Sequence, residues 1–127
     1  MLNRDLIGKL LDRLGKAVSS GDLKTVSASY VYPAMFLIDE KCIVFEKPSD
    51  VEDVFGLGRA WYVDQGIVET RSEILTLDLM TDTLASVDVR WPGFDRDGKE
   101  VYTETSHYVL QVSEGRPLIR VAYSRTK

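Results

Sequence analysis

KEVYTETSHYVLQV, residues 99–112, is the stretch whose reading decides the fold. Branched and aromatic side chains recur along it at strand spacing, and its length suits the central strand of an antiparallel sheet. It also carries the only histidine of the chain, His107. Asp97 and Gly98 just before it are a strong hairpin signal, which fixes the residues that face each other across the turn. Val87 then lies opposite Tyr108, Val89 opposite Ser106 and Trp91 opposite Glu104. The alternate set pairs Asp88 with His107 and Arg90 with Thr105. A second turn at Glu114 and Gly115 sets Ile119 beside Leu110, Val121 beside Tyr108 and Tyr123 beside Ser106. A three-residue turn at Thr81, Asp82 and Thr83 aligns Leu75, Leu77 and Leu79 with Val89, Val87 and Ala85, whereas a two-residue turn mismatches them.

Working outward, strands are expected near Val68 to Met80, Leu84 to Trp91, Lys99 to Val112 and Leu118 to Ser124, as a meander. Its apolar face needs helices, and the opposite face, with Thr76, Asp88, Arg90, Thr105, His107 and Arg120, points to solvent or to another subunit. Upstream, Leu6, Ile7, Leu10, Leu11, Leu14, Ala17 and Val18 form one helical stripe, with Asn3 or Asp5 available as cap and Gly21 as stop. Asp22 caps a short second helix in which Leu23, Val26 and Tyr30 share a face, and Pro33 ends it. Ala34 to Asp39 and Cys42 to Phe45 read as a small hairpin. A capping box at Ser49 and Glu52 opens a third helix from about Asp50 to Asp64, with Val51, Val54, Phe55, Gly58 and Trp61 or Tyr62 on its buried face and Gly66 as terminator.

The 127 residues suit one domain, residues 1–127, and a real core without disulfides or a structural metal. An apolar fraction of 44% and a charged fraction of 28% place the chain among soluble globular proteins. Net charge is −4 and the cations are scattered, so nucleic acid is not an expected partner. The single cysteine, Cys42, reads as an inert buried thiol, and together with an opening that is neither signal peptide nor membrane span it suggests a cytoplasmic location. One His and one Cys supply no typical zinc set, and the acids show no calcium-loop spacing, so neither metal nor cofactor is expected.

The SGDL run at Ser20 to Leu23, YP at Tyr32 and Pro33, SVDVRW at Ser86 to Trp91, the DG turn and the SHYVLQ run occur in an order that resembles the nuclear transport factor 2-like (SnoaL-like, cystatin-like fold) superfamily over nearly the whole chain. The resemblance implies an α+β fold. Three helices would sit in the concave side of a cone-shaped, curved antiparallel sheet, built from a four-strand meander plus the small hairpin, and leave a pocket. It also implies a homodimer through the outer sheet face. Its members include isomerase-like, cyclase and dehydratase enzymes as well as binding modules, so the fold does not select a chemistry. Where isomerase-like members carry their general-base aspartate this chain reads Ile38, with Asp39 one position on, and their helical tyrosine falls at Leu14.

Two groups of residues are candidates for chemistry. Asp88 and His107 form a carboxylate and imidazole pair on the outer face, read either as an acid–base dyad or as an interface salt bridge. Glu104, Ser106, Tyr108, Tyr123 and Trp91 fall on the inner face, with Tyr30, Tyr32, Met35, Trp61 and Tyr62 as the wall from the helical side, and are read either as a ligand pocket or as a filled core. The leading expectation is binding of a small apolar or aromatic molecule. The alternatives are a proton-transfer enzyme of isomerase, cyclase or dehydratase type, with Glu104 or Asp39 as base, and a protein-interaction module.

Overall fold

A computed structural model describes residues 2–126 of the chain. Helix α1 spans Arg4–Ser20, and Asn3 caps it by accepting the Leu6 N–H at 2.9 Å. Its apolar stripe buries Ile7, Leu10, Leu11, Leu14 and Ala17. The helix ends where Gly21 turns left-handed (φ 76°), with the Asp22 N–H bonded back to the Ala17 carbonyl at 2.8 Å. Asp22 caps α2 (Leu23–Ala28) through the Thr25 N–H.

The hairpin strands are β1 (Tyr30–Ile38) and β2 (Lys41–Phe45). β1 starts four residues before its expected beginning, so Tyr30 is a strand residue and not the last turn of α2. Pro33 is tolerated inside the strand because the pairing with the neighbouring strand is irregular between Tyr30 and Met35. Helix α3 runs Pro48–Asp64. It begins two residues earlier than Ser49 suggests: Pro48 takes the first helical position, and Asp50 reaches back to accept the Glu46 and Lys47 N–H groups at 2.9 and 3.3 Å. Gly66 (φ 77°) terminates it, with the Ile67 N–H on the Tyr62 carbonyl.

The remaining strands are β3 (Glu69–Thr70), β4 (Glu73–Leu79), β5 (Leu84–Phe94), β6 (Glu100–Ser113) and β7 (Arg116–Thr126). They form one seven-stranded sheet in the order β2-β1-β7-β6-β5, with β3 and β4 sharing the far edge of β5. The sheet is mixed rather than purely antiparallel, because β1 lies parallel to β7. The expected first meander strand is broken at Arg71 and Ser72 into β3 and β4.

Register across β5 and β6 follows the expected pairs, Val87 with Tyr108, Asp88 with His107, Val89 with Ser106 and Trp91 with Glu104. The turn itself is longer than two residues. Asp95 and Lys99 close it, Gly98 turns left-handed, and a register shift beyond Gly93 restores the same pairing. Two further bulges change faces. In β4, a shift between Ile74 and Thr76 sets Ile74 opposite Val89 and leaves Leu75 exposed. In β7, an extra residue at Arg120, facing the step from Val109 to Leu110, leaves Ile119 beside Leu110 but moves Ala122 opposite Tyr108 and Ser124 opposite Ser106, so that Tyr123 lies beside His107 on the outer face.

The core sits between α1 and the inner sheet face, where Ile7, Leu10, Leu11, Val87, Val89, Leu110 and Ile119 are fully buried. Helix α3 is different: Val51 is its one buried residue among those described, and the rest of its inward face borders open space. Cys42, expected to be buried, is exposed, because its parity in β2 turns it to the outer face.

Candidate ligand cavity

A cavity of about 190 Å³ lies between the inner sheet face and the three helices. Engineered apolar cavities of about 150 Å³ admit benzene, so this space has the volume of a single ring with a short substituent. Leu14 and Val18 of α1, Leu23 and Val26 of α2, and Val54 and Phe55 of α3 supply apolar walls. From the sheet come Tyr30, Phe36, Trp91, Glu104, Ser106 and Tyr108. Tyr30 is held edge-on against Phe45 and Phe55, with ring centroids 5.7 and 6.2 Å apart. Trp91 can press on α1 because Gly15 has no side chain: a Cβ there would stand 3.1 Å from the indole.

The polar groups form a line along β6 and its neighbours. Trp91 Nε1–H donates to the Tyr108 hydroxyl at 3.0 Å, and the Ser106 and Ser124 hydroxyls bond each other at 2.9 Å. Burial pushes the Tyr108 phenol up to about 12, against opposing hydrogen bonding from Ser106 and Trp91. Glu104 is the one carboxyl on the cavity wall among the described residues. Its surface is partly open because it borders the cavity, yet enough protein surrounds it that burial raises its pKa, opposed by the hydrogen bond from Ser124. Its charge in turn works against ionisation of Tyr30, Tyr62, Tyr102 and Tyr108, whose pKa values burial already raises. A carboxyl in this setting holds its proton more tightly than one in water, which is the direction that proton exchange with a bound molecule calls for.

Five of the expected pocket residues, Tyr30, Trp91, Glu104, Ser106 and Tyr108, meet at this cavity, as does Tyr62. Tyr32, Met35, Trp61 and Tyr123 do not; Met35 faces outward beside Val44 and Val121. The Tyr32 hydroxyl is committed to the Ser27 carbonyl at 2.6 Å. Trp61 stands outside, 42% exposed and edge-on to Tyr102 at 4.8 Å. Tyr123 is turned outward by the β6–β7 bulge, and Ala122 and Ser124 take its place. Asp39 sits exposed at the tip of the β1–β2 hairpin (φ 52°), away from the cavity, which removes it as a base for a molecule bound there. Asp88 and His107 bond each other at 2.7 Å on the outer face, where Thr76 and His107 hydrogen bonds lower the Asp88 pKa.

Sequence reasoning misses Ser124, Thr70 and Arg59, which also line the cavity. No pattern announces the bulge that brings Ser124 inward. Arg59 is legible in helical spacing, four residues after Phe55 and three before Tyr62, although its charge argues for solvent. Among the described residues no three or more metal-ligating side chains converge, and no helix is long and apolar enough to cross a membrane.

A family model described as "NTF2-like protein (DUF6841)" matches residues 4–127. No curated protein matches the sequence. Among solved structures, the chain is similar to an NTF-2 like protein of unknown function from Shewanella oneidensis MR-1, at TM-score 0.73 and 20% identity over 94% of this chain and 96% of that one. It is also similar to an NTF2-like protein with a cystatin-like fold from Novosphingobium aromaticivorans, at TM-score 0.77 and 12% identity over 97% and 80% of the two chains. A ketosteroid isomerase-like protein from Erwinia carotovora atroseptica aligns at TM-score 0.69 and 13% identity over 98% of each chain. At these identities the likeness is one of fold.

Proposed function

The chain belongs to the NTF2-like family DUF6841, and from that membership we propose that it binds a small, largely apolar, ring-sized molecule in the cone between sheet and helices. The observation that carries this reading is the cavity itself: the cone is not filled by side chains, and its wall is mostly apolar, with a short polar line ending at Glu104 and with Thr70 and Arg59 as its other polar side chains. A protein-interaction role goes with a filled cone and has no comparable support. The test is a thermal-shift and calorimetric panel of one-ring compounds. Ligands of this size should raise the melting temperature, since anything that binds only the folded state stabilises it. Failure of the entire panel to stabilise the protein or to give a binding isotherm overturns the reading.

Glu104 supports a second reading, proton transfer to and from the bound molecule. A carboxyl with a raised pKa, steadied by Ser124 and facing an apolar space, has the properties a general acid or base needs. A Glu104 that titrates in the ordinary carboxylate range removes this reading and leaves binding intact. Assembly as a homodimer through the outer sheet face completes the proposal. It is supported by an apolar row across that face, in which Val44 pairs with Met35, Met35 with Val121 and Val121 with Val109.

A further inference from the structure

Arg59 is the one cation lining the cavity among the described residues, and it is not matched by any acid. It lies on α3 between Phe55 and Tyr62, and its guanidinium rests on Gly21, where an added Cβ would stand 3.0 Å from Nε and 3.2 Å from Cζ. The absent side chain at Gly21 is what lets the guanidinium lie there. One donor is spent: Nη1 donates to the Ser19 carbonyl at 2.6 Å, one of the free carbonyls at the end of α1. A guanidinium has five N–H donors, so four remain, among them the parallel pair along the Nε–Nη2 edge that suits a carboxylate. Among the described residues no carboxylate stands within ion-pair distance of Arg59.

Arg59 also borders a second, adjoining groove lined by Val63, Ile67, Val68 and the Asp95–Asp97 loop, and so stands at the boundary of the cavity. An anion held there keeps part of its hydration while an attached ring enters the apolar space, which avoids the cost of burying a charge unpaired. One guanidinium neutralises one charge. A phosphate would bring nearly two charges to a cavity wall whose single cation is Arg59 and which already holds a carboxyl at Glu104, and the adjoining groove sets Asp95 and Asp97 beside its own Arg96.

We propose that the cavity takes a small single-ring carboxylate, with its carboxylate on Arg59 and its ring against the Leu14, Val26 and Phe55 walls, the far end reaching Glu104 and Ser124. This rests on the ligand-binding reading above and narrows it to a chemical class. The guanidinium fixes which end of the ligand stays at the mouth, and the size of the cavity limits the rest to one ring.

The experiment measures calorimetric affinities at pH 7.5 for benzoate and phenylacetate against their neutral counterparts benzamide and phenylacetamide. The wild-type protein and the Arg59→Met and Arg59→Lys variants are compared. The carboxylates should bind at least about tenfold more tightly than the amides, a preference the size of one charged hydrogen bond. Arg59→Met should abolish that preference by weakening the carboxylates far more than the amides, and Arg59→Lys should keep part of it. The readout is a ratio within each variant, so a general loosening of α3 does not imitate it. Amides binding as tightly as carboxylates, or a preference that survives in Arg59→Met, overturns the inference and leaves the ligand-binding reading standing. Binding of neither class overturns both.

Discussion

Glu104 is the one carboxyl on the cavity wall among the described residues, and its protonation is linked to folding. Burial raises its pKa in the folded chain above the unfolded value. The folded state therefore holds that proton more tightly. The stability this group contributes is complete below the ordinary glutamate range and is lost as pH rises through the folded pKa. Glu104→Gln removes the dependence, since an amide keeps the shape and cannot ionise. The variant should gain stability relative to wild type as pH rises from 4 to 8, and urea midpoints at the two pH values measure this. A difference that is constant with pH, or that runs the other way, contradicts the raised pKa and with it the proton-transfer reading.

Among the helices, α3 is the least buried and depends most on its ends. Gly66 closes it at φ 77° with open space where a Cβ would go, so Gly66→Ala introduces only the backbone cost of the left-handed conformation. That cost is about 1 kcal/mol. The expected outcome is a lowered urea midpoint with an unchanged slope; no change would mean that the helix end rearranges freely. The end of this helix is legible because a glycine after the last periodic residue has one physical meaning. Its beginning misleads because Ser49 and Glu52 imitate a capping box, while Pro48 and Asp50 form the real helix start. The β5–β6 register is legible for a related reason, as two apolar sets have to agree across one turn. The bulges at Leu75 and Arg120 leave no mark in composition, since one extra residue changes no periodicity until the strand is paired. That is why the sequence points Tyr123 inward and gives no sign of Ser124. Arg120 bonds the Gln111 side chain at 2.8 Å and the Pro33 carbonyl at 2.6 Å from its bulge, the second a contact between residues far apart in sequence.

At the scale of the molecule, the curved sheet separates two surfaces of different character. The inner one holds the cavity. The outer one carries a row running from Cys42 through Leu37, Tyr123 and His107 to Asp88 and Thr76, beside the apolar row of Val44, Met35, Val121 and Val109. If two copies meet on this face, His107→Ala should weaken the dimer, seen as a concentration-dependent shift toward monomer in sedimentation, and leave ligand affinity as it was. Unchanged association with lost ligand binding would reverse the assignment of the two faces. The central claim, that the cone is an open ligand site built around Glu104, is tested most directly by titrating a one-ring ligand into isotopically labelled protein and following backbone and indole NMR signals. The account predicts saturable shifts at Trp91, Glu104, Ser106, Tyr108 and Ser124, with His107 and Tyr123 unmoved. Shifts confined to the outer face, or none at any ligand concentration, would contradict it.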